Sequence, residues 1–282
     1  MARWPFEVTD GRATGPGAFD MKAGLVQGLH ALSLADSLDG VAVLVTTDEE
    51  IGSPTSRTLI EASARGARAA LVLEPSASGA LKSARKGVSN YELVAHGRAA
   101  HAGLEPEKGV NAVLELAHQL LTLNALAADA AGATITPTLV SAGTTRNTVP
   151  AMAVAAIDVR VTTDADQDRI DAALRRTAAV LPGARLELRG GPNRPPLAAS
   201  ASADLVVRAR RLAHDLGLAE PADVHVGGGS DGNFTAGIGV PTLDGLGAVG
   251  DGAHAEGEHV EVAAMPERGA LVHGLVHELS TG

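Results

Sequence analysis

Three acids in a row, Asp48, Glu49 and Glu50, follow the apolar run Val41-Ala42-Val43-Leu44-Val45. The run has the composition of a buried strand, and no Lys or Arg follows until Arg57. A second apolar run, Ala70-Leu71-Val72-Leu73, also ends in an acid, Glu74. In an open α/β sheet, ligands gather at the carboxyl ends of the strands. Asp20 lies between a Gly-rich turn and a helical pattern, a connection expected to face the same crevice. His254, in Gly-Asp-Gly-Ala-His-Ala-Glu, follows a late strand through a Gly-rich loop. Carboxylates gathered this way would repel one another and be costly to desolvate. Two divalent cations would remove that cost. The chain has no Cys, so any metal site must be built from His, Asp and Glu. Zinc is the first choice for such donors, with manganese or cobalt as alternatives.

Each residue also has a plainer reading. Asp20 alone would cap a helix. A run of three acids is usually a solvated loop. Glu74 could simply end a strand, and a lone His254 would usually lie on the surface. Gly15-Pro16-Gly17 is a weak dinucleotide-loop signal, because no buried strand precedes it. It is the joint occurrence of the acids and the His that favours metal chemistry.

The elements that must carry these residues follow from pattern. Apolar positions at Met21, Leu25, Val26, Leu29 and Leu32 predict a helix over 21–36. A strand is expected over 41–47, a helix over 55–68 ended by Gly66, and a strand over 70–74. This is the rhythm of a mostly parallel α/β sheet. The middle reads strand 87–96, helix 109–125, strands 133–141 and 151–162, helix 166–181 and strand 185–189, the βαββαβ order of a ferredoxin-like unit. Gly190-Gly191-Pro192-Asn193-Arg194-Pro195-Pro196 reads as a stiff exit linker. A helix over 202–216, strands near 222–226 and 240–246, and a helix from about 264 complete the chain. The expected organisation is an α/β domain (1–86 and 192–282) interrupted by an inserted α+β domain (87–191).

Composition bounds the function. The 282 residues are 45% hydrophobic, with 33 acids against 23 bases and a net charge of -10. That balance argues against a nucleic-acid partner. No apolar run could span a membrane. The opening MARWPFEVTD has no signal-peptide apolar core, and a cytoplasmic protein is expected.

The ordered motifs resemble one family: the di-zinc exopeptidases that include glutamate carboxypeptidases, aminoacylases, acetylornithine deacetylases and succinyl-diaminopimelate desuccinylases. The similarity rests on residues 15–22 (Gly-Pro-Gly-Ala-Phe-Asp-Met-Lys), 47–52 (Thr-Asp-Glu-Glu-Ile-Gly) and 73–76 (Leu-Glu-Pro-Ser). It continues through Gly-Arg-Ala-Ala-His-Ala-Gly (97–103) with Gly-Val-Asn-Ala (109–112), and Arg-Asn-Thr-Val-Pro (146–150). Asp-Val-Arg (158–160), Gly-Gly-Gly-Ser-Asp (227–231) and His-Ala-Glu-Gly-Glu (254–258) complete it. The glutamate carboxypeptidases are the most similar subgroup.

The resemblance implies a zinc domain with an inserted lid used for homodimerisation, and hydrolysis of the amide bond in small peptides or N-acyl amino acids bearing a free carboxylate. It implies that Asp20 bridges two zinc ions, that Glu50 and His254 complete one site, and that Glu74 serves the other. Glu49 would be the general base. His101 would stabilise the oxyanion in the partner subunit's site. Asn147 and Arg160 would hold the substrate carboxylate, and Gly227, Gly228 and Gly229 would admit the substrate close to the backbone. Lys82 would face an acidic substrate side chain. The family also carries a His-x-Asp strand ahead of the Pro-Phe segment, and this sequence starts beyond it. One metal is thus expected to keep three protein ligands and the other two. His225 is the local candidate for a substitute. A relative that folds and dimerises without turnover, with exposed apolar surface and an open sheet edge, is the alternative expectation. An N-acyl-amino-acid deacetylase is the other.

Overall fold

The computed structural model describes residues 4–128 and 132–281. It divides the chain into two compact units, residues 1–85 with 197–282, and residues 86–196. In chain order the first unit begins with β1 (Glu7–Thr9), β2 (Arg12–Thr14), α1 (Ala23–Ser33), α2 (Arg57–Ala64), β3 (Ala70–Leu71) and β4 (Leu81–Arg85). The second unit holds β5 (Gly87–His96), α3 (Ala112–Ala128), β6 (Thr134–Ala142), β7 (Met152–Val161), α4 (Asp164–Arg175) and β8 (Arg185–Arg194). The chain then returns to the first unit with α5 (Ala199–Asp215), β9 (Asp223–Val226), α6 (Gly232–Gly237), β10 (Thr242–Leu243), β11 (Gly250–Asp251), β12 (His259–Glu261) and α7 (Met265–Thr281).

In the first unit, β3 pairs in parallel with β10, and β4 in parallel with β9. A Lys82–Asp244 bridge joins the two pairs. Helices α1, α5 and α7 cover this sheet. Ala31, Leu205, Ala209, Leu271 and Leu275 pack on Leu81, Leu243 and Leu246, all nearly inaccessible. The approach of α1 is set by glycine. A Cβ on Gly24 would lie 2.1 Å from the Leu73 carbonyl oxygen, so only glycine lets the helix rest against the chain that carries Glu74. A smaller antiparallel sheet, β1-β2-β12-β11, packs Ala13 and Val260 with Phe19 and Ala248. Its first hairpin turns at Asp10-Gly11, both at positive φ (51 and 78°), the two-residue turn that matches strand twist.

The second unit is an antiparallel sheet in the order β6-β7-β5-β8. Alternate residues of β5 and β7, among them Tyr91, Leu93, Ala155 and Ile157, form one core with Leu116 and Leu123 of α3 and Ile170 and Leu174 of α4. This is the ferredoxin-like arrangement expected from pattern. No described helix is long and apolar enough to cross a membrane.

Strands 70–74 and 240–246 shorten to Ala70–Leu71 and Thr242–Leu243, and the helix over 55–68 to Arg57–Ala64; other expectations need larger correction. Residues 41–47 form no strand. An extended segment becomes a strand only when a neighbouring backbone completes its ladder, and no described strand does so. Val43, Leu44 and Val45 are 55, 40 and 62% exposed, leaving roughly half of the 1.5–3 kcal/mol of full burial per side chain unrealised. Residues 190–194 are not a linker but the second half of β8, paired with Val88–Tyr91. Gly190 permits this, because a Cβ there would meet the Asn90 carbonyl at 2.2 Å. Pro192 is tolerated because β8 lies at the sheet edge. Helix α4 stops at Arg175 rather than 181.

Candidate metal centre

Asp48 and Glu50 have different fates. Asp48 Oδ2 accepts the backbone N–H and hydroxyl of Thr55 (2.8 and 2.6 Å) and the N–H of Ser56 (3.1 Å), while Oδ1 accepts the Ser56 hydroxyl. These bonds, that from the Ser56 hydroxyl foremost, hold its carboxyl well below the usual carboxylate range. Asp48 is therefore the lock of the 48–56 loop. Glu49 and Glu50 lie on the single 3-10 turn Glu49–Ile51 that this loop presents.

Glu50 meets His254, whose Nε2 lies 3.0 Å from Glu50 Oε1 and 3.2 Å from Asp20 Oδ2. Asp20, Glu50 and His254 place one ligand atom each within 4.8 Å of one another, the cluster of this kind among the described residues. Negative neighbours raise the His254 pKa, Glu50 first and Asp20 after it, against partial desolvation. Burial, then Glu50, raises that of Asp20. His254 sits at φ 62°, the left-handed region that His adopts only at a cost of about 1–3 kcal/mol. Such strain persists where surrounding structure imposes it. Two carboxylates and an imidazole are a suitable donor set for a divalent cation such as zinc.

Glu74 lies beside this cluster and outside it. Burial, then Asp244 and Asp20, pushes its pKa up to about 8. An acid so destabilised as an anion fits a position built for a cation. Its turn is held by Gly247 N–H donating to the Glu74 carbonyl at 2.9 Å. Arg268 donates in turn to the carbonyls of Gly247 (3.0 Å), Gly79 (3.1 Å) and Gly245. A second cation would have Asp20 and Glu74 from this chain. His225, on β9 and exposed, is not in the cluster.

Sequence reasoning missed two supporting acids. Glu258, 2% exposed, accepts the N–H groups of Phe19 (2.9 Å) and Asp20 (2.8 Å) on Oε1 and of Gly17 (2.8 Å) on Oε2. Asp231 accepts the hydroxyls of Thr46 (2.9 Å) and Ser53, which bracket Glu49 and Glu50. Both acids stood inside the quoted motifs. No rule of spacing announces a carboxylate that serves only backbone or hydroxyl donors.

Gly227 and Gly228 are exposed and Gly229 half-buried, in the loop between β9 and α6. A Cβ on Gly227 would meet nothing within 4 Å, so packing within the chain does not demand glycine there. Lys82, half-buried, lies close enough to Asp244, Glu74 and Asp20 to feel their charge.

The remaining expected residues belong to the second unit. The His101 Nδ1 accepts the N–H groups of Gly103 (3.2 Å) and Leu104 (3.1 Å), which leaves the neutral ring's proton on Nε2 as a donor. Asn147 is exposed, and its carbonyl accepts the Ala102 N–H at 2.9 Å. Arg160 grips Asp158 through Nε (2.8 and 3.1 Å) and Nη2 (2.8 Å), so its fork is engaged by a carboxylate of its own strand.

Known proteins share this architecture. The sequence profile of Peptidase family M20/M25/M40 matches residues 1–278. Carboxypeptidase G2 of Pseudomonas sp. (strain RS-16) is 32% identical over 293 residues, covering 100% of this chain and 71% of that protein. A succinyl-diaminopimelate desuccinylase of Methylorubrum populi is 31% identical over 296 residues, 96% of this chain and 75% of that protein. The fold matches that of the aminopeptidase PepT from Bacillus cereus with a TM-score of 0.75 at 21% identity, over 99% of this chain and 77% of that one. By its sequence, the chain belongs to peptidase family M20/M25/M40, a family of hydrolases.

Proposed function

We propose that this protein is a zinc-dependent exopeptidase or amidohydrolase that cleaves the amide bond of small peptides or N-acyl amino acids with a free carboxylate. C-terminal glutamate is the first substrate class to test. The observation that carries the reading is the convergence of Asp20, Glu50 and His254, with Glu74 beside them where burial disfavours its anion. A bound divalent cation supplies Lewis acidity toward the scissile carbonyl and lowers the pKa of the attacking water. Glu49 takes the proton from that water and returns it to the leaving amine. The His101 Nε2–H donates to the carbonyl oxygen as it gains charge. Asn147 and Arg160 receive the substrate carboxylate, for which Arg160 exchanges Asp158. Lys82 faces an acidic side chain, and Gly227–Gly229 admit the substrate to the backbone.

The inserted unit would pair two copies and bring His101 to the partner's site. The exposed edge of β6, with Leu139 72% and Val140 58% exposed, supports a homodimer, and cobalt or manganese could replace zinc. The desuccinylase and carboxypeptidase likenesses leave a deacylase of N-acyl amino acids as a variant of the same chemistry.

A second reading is a protein that folds and dimerises without turnover. It is favoured by the unpaired apolar segment 41–45 and by a second metal position with two carboxylates. The deciding experiment is amino-acid release from a series of N-acyl-glutamates and N-acyl amino acids. Turnover abolished by a chelator, and reduced about 10²–10⁴-fold in Glu49→Gln with zinc content unchanged, is expected. No turnover with zinc bound would leave the second reading standing.

A further inference from the structure

The loop Gly227–Asp231 is tied on two sides. Asp231 faces the Glu49–Glu50 loop through Thr46 and Ser53. The other tie is a buried ion pair. Arg85, at the end of β4 and 5% exposed, donates from Nε to Asp244 Oδ2 at 2.7 Å and from Nη2 to Oδ1 at 2.9 Å. Its third nitrogen, Nη1, donates to the carbonyl oxygens of Gly228 (3.0 Å) and Gly229 (3.4 Å). Asp244 is fully buried and also accepts the hydroxyl of Ser230 and the N–H of Gly245. Both members of the pair therefore reach the same loop, Arg85 at the Gly228 and Gly229 carbonyls and Asp244 at the Ser230 hydroxyl.

A buried ion pair is a poor device for stability, since an apolar pair of similar volume is often as stable or more so. What an apolar pair cannot do is hold backbone. Arg presents a planar, five-donor fork. Here one edge of the fork is spent on Asp244 and the remaining nitrogen on two successive glycine carbonyls. Three consecutive glycines have more conformational freedom to lose than any other tripeptide. Nothing packs where a Gly227 side chain would be. Among the groups that order this loop, Arg85 with Asp244 is the charged pair that grips its glycine carbonyls from behind.

We propose that Arg85 and Asp244 are positioning residues for the hydrolytic reaction, fixing the Gly227–Gly229 backbone in the conformation that receives substrate. This rests on the reading above that the glycine loop borders the substrate. It assigns the pair a role in binding that neither its burial nor its charge would by itself require.

Two variants test it. Arg85→Lys keeps the charge but lacks the nitrogen that reaches Gly228 and Gly229. Arg85→Met with Asp244→Leu removes both charges together and avoids an uncompensated buried ion. Amide exchange of a peptide covering 226–232, zinc content, KM and kcat are measured for each. Expected are exchange faster by about tenfold in that peptide alone, unchanged zinc content, and KM raised about tenfold with kcat within about threefold. Exchange and KM within about twofold of the unmodified chain would show a merely structural ion pair and overturn the proposal. If the double variant does not fold, Arg85→Lys decides by the same readings. If the unmodified chain hydrolyses no substrate, the functional reading fails, and amide exchange alone decides whether the clamp exists.

Discussion

Glu258 holds Asp20 by its backbone, with Oε1 2.8 Å from the Asp20 nitrogen. It does so from a position four residues beyond His254. One loop therefore supplies a candidate ligand and the support of another. The backbone carbonyl of Glu258 also accepts the Gly15 N–H at 3.4 Å, so the turn 15–20 is gripped at both ends. A carboxylate suits this place because both of its oxygens accept and all three partners donate.

Glu258→Gln should therefore weaken zinc binding. The amide puts an NH₂ against at least one backbone N–H, and the Asp20 turn must shift. Loss of an outer partner of a metal ligand lowers affinity by about 10–100-fold. Competition with a chelator measures this directly. Affinity equal to that of the unmodified chain would mean that Glu258 shapes the turn without consequence for the centre.

The pH dependence of the metal-free protein has a definite sign. Glu74 titrates at about 8 when folded, against an ordinary value of 4.5. Across that window the folded state holds a proton that the unfolded state has lost, so stability falls as pH rises. Asp20, also raised, acts in the same direction. The raised His254 contributes stability that is complete below pH 6.5 and is lost above it. Asp48, held low, acts below its ordinary 3.8, outside the window. In a chelator, the melting temperature should fall from pH 5 to 8, and Glu74→Gln should flatten the curve. Zinc should reverse the trend, because it binds the deprotonated ligands and releases their protons. A melting temperature that rises over this range without metal would contradict the burial of Glu74.

Much of the fold is legible in the sequence. The inserted unit was readable because its strands are amphipathic: β7 alternates buried and half-buried residues from Ala153 to Val161, and a period of two declares a half-covered strand. That Asp20, Glu50 and His254 would share a crevice is implied by the family resemblance, with each residue at the end of an apolar run or beside a Gly-rich turn, and the three side chains do converge. The segment 41–47 failed for the opposite reason. An apolar run states what a segment would do with neighbours on both sides, and sequence does not say whether those neighbours exist. The Gly190–Pro196 stretch failed because Gly and Pro mark turns on average, while here they fit a sheet edge. The Asp10-Gly11 turn of the small sheet carried a readable signal, but its strands are only three residues long. Arg85 and Asp244 lie 159 positions apart, and nothing local couples them.

Gly24→Ala gives a test of the packing that brings Asp20 beside Glu74. In an exposed helix, Ala is favoured over Gly by about 1 kcal/mol. At Gly24 the new Cβ would lie 2.1 Å from a backbone oxygen of Leu73, which cannot move without moving Glu74. The expected result is a loss of about 1–3 kcal/mol in thermal or denaturant unfolding, the reverse of the propensity. Gly28→Ala meets only the tip of the Leu73 side chain and should cost less. A stabilised Gly24→Ala protein would show that α1 does not rest on residues 72–74.

The segment 41–45 gives the last prediction. Val43 and Val45 are more than half exposed, and their backbone joins no ladder among the described residues. Extended, apolar and unpaired chain is the usual template for edge-to-edge association. Val43→Lys with Val45→Lys should suppress concentration-dependent light scattering and binding of a hydrophobic dye. The unfolding free energy should stay within about 0.5 kcal/mol, because neither side chain is buried. A charged pair is the device that natural sheet edges use for this purpose. If the double variant instead unfolds or melts far below the unmodified chain, these side chains are packed in solution. The segment would then be an element of the core, as its composition first suggested.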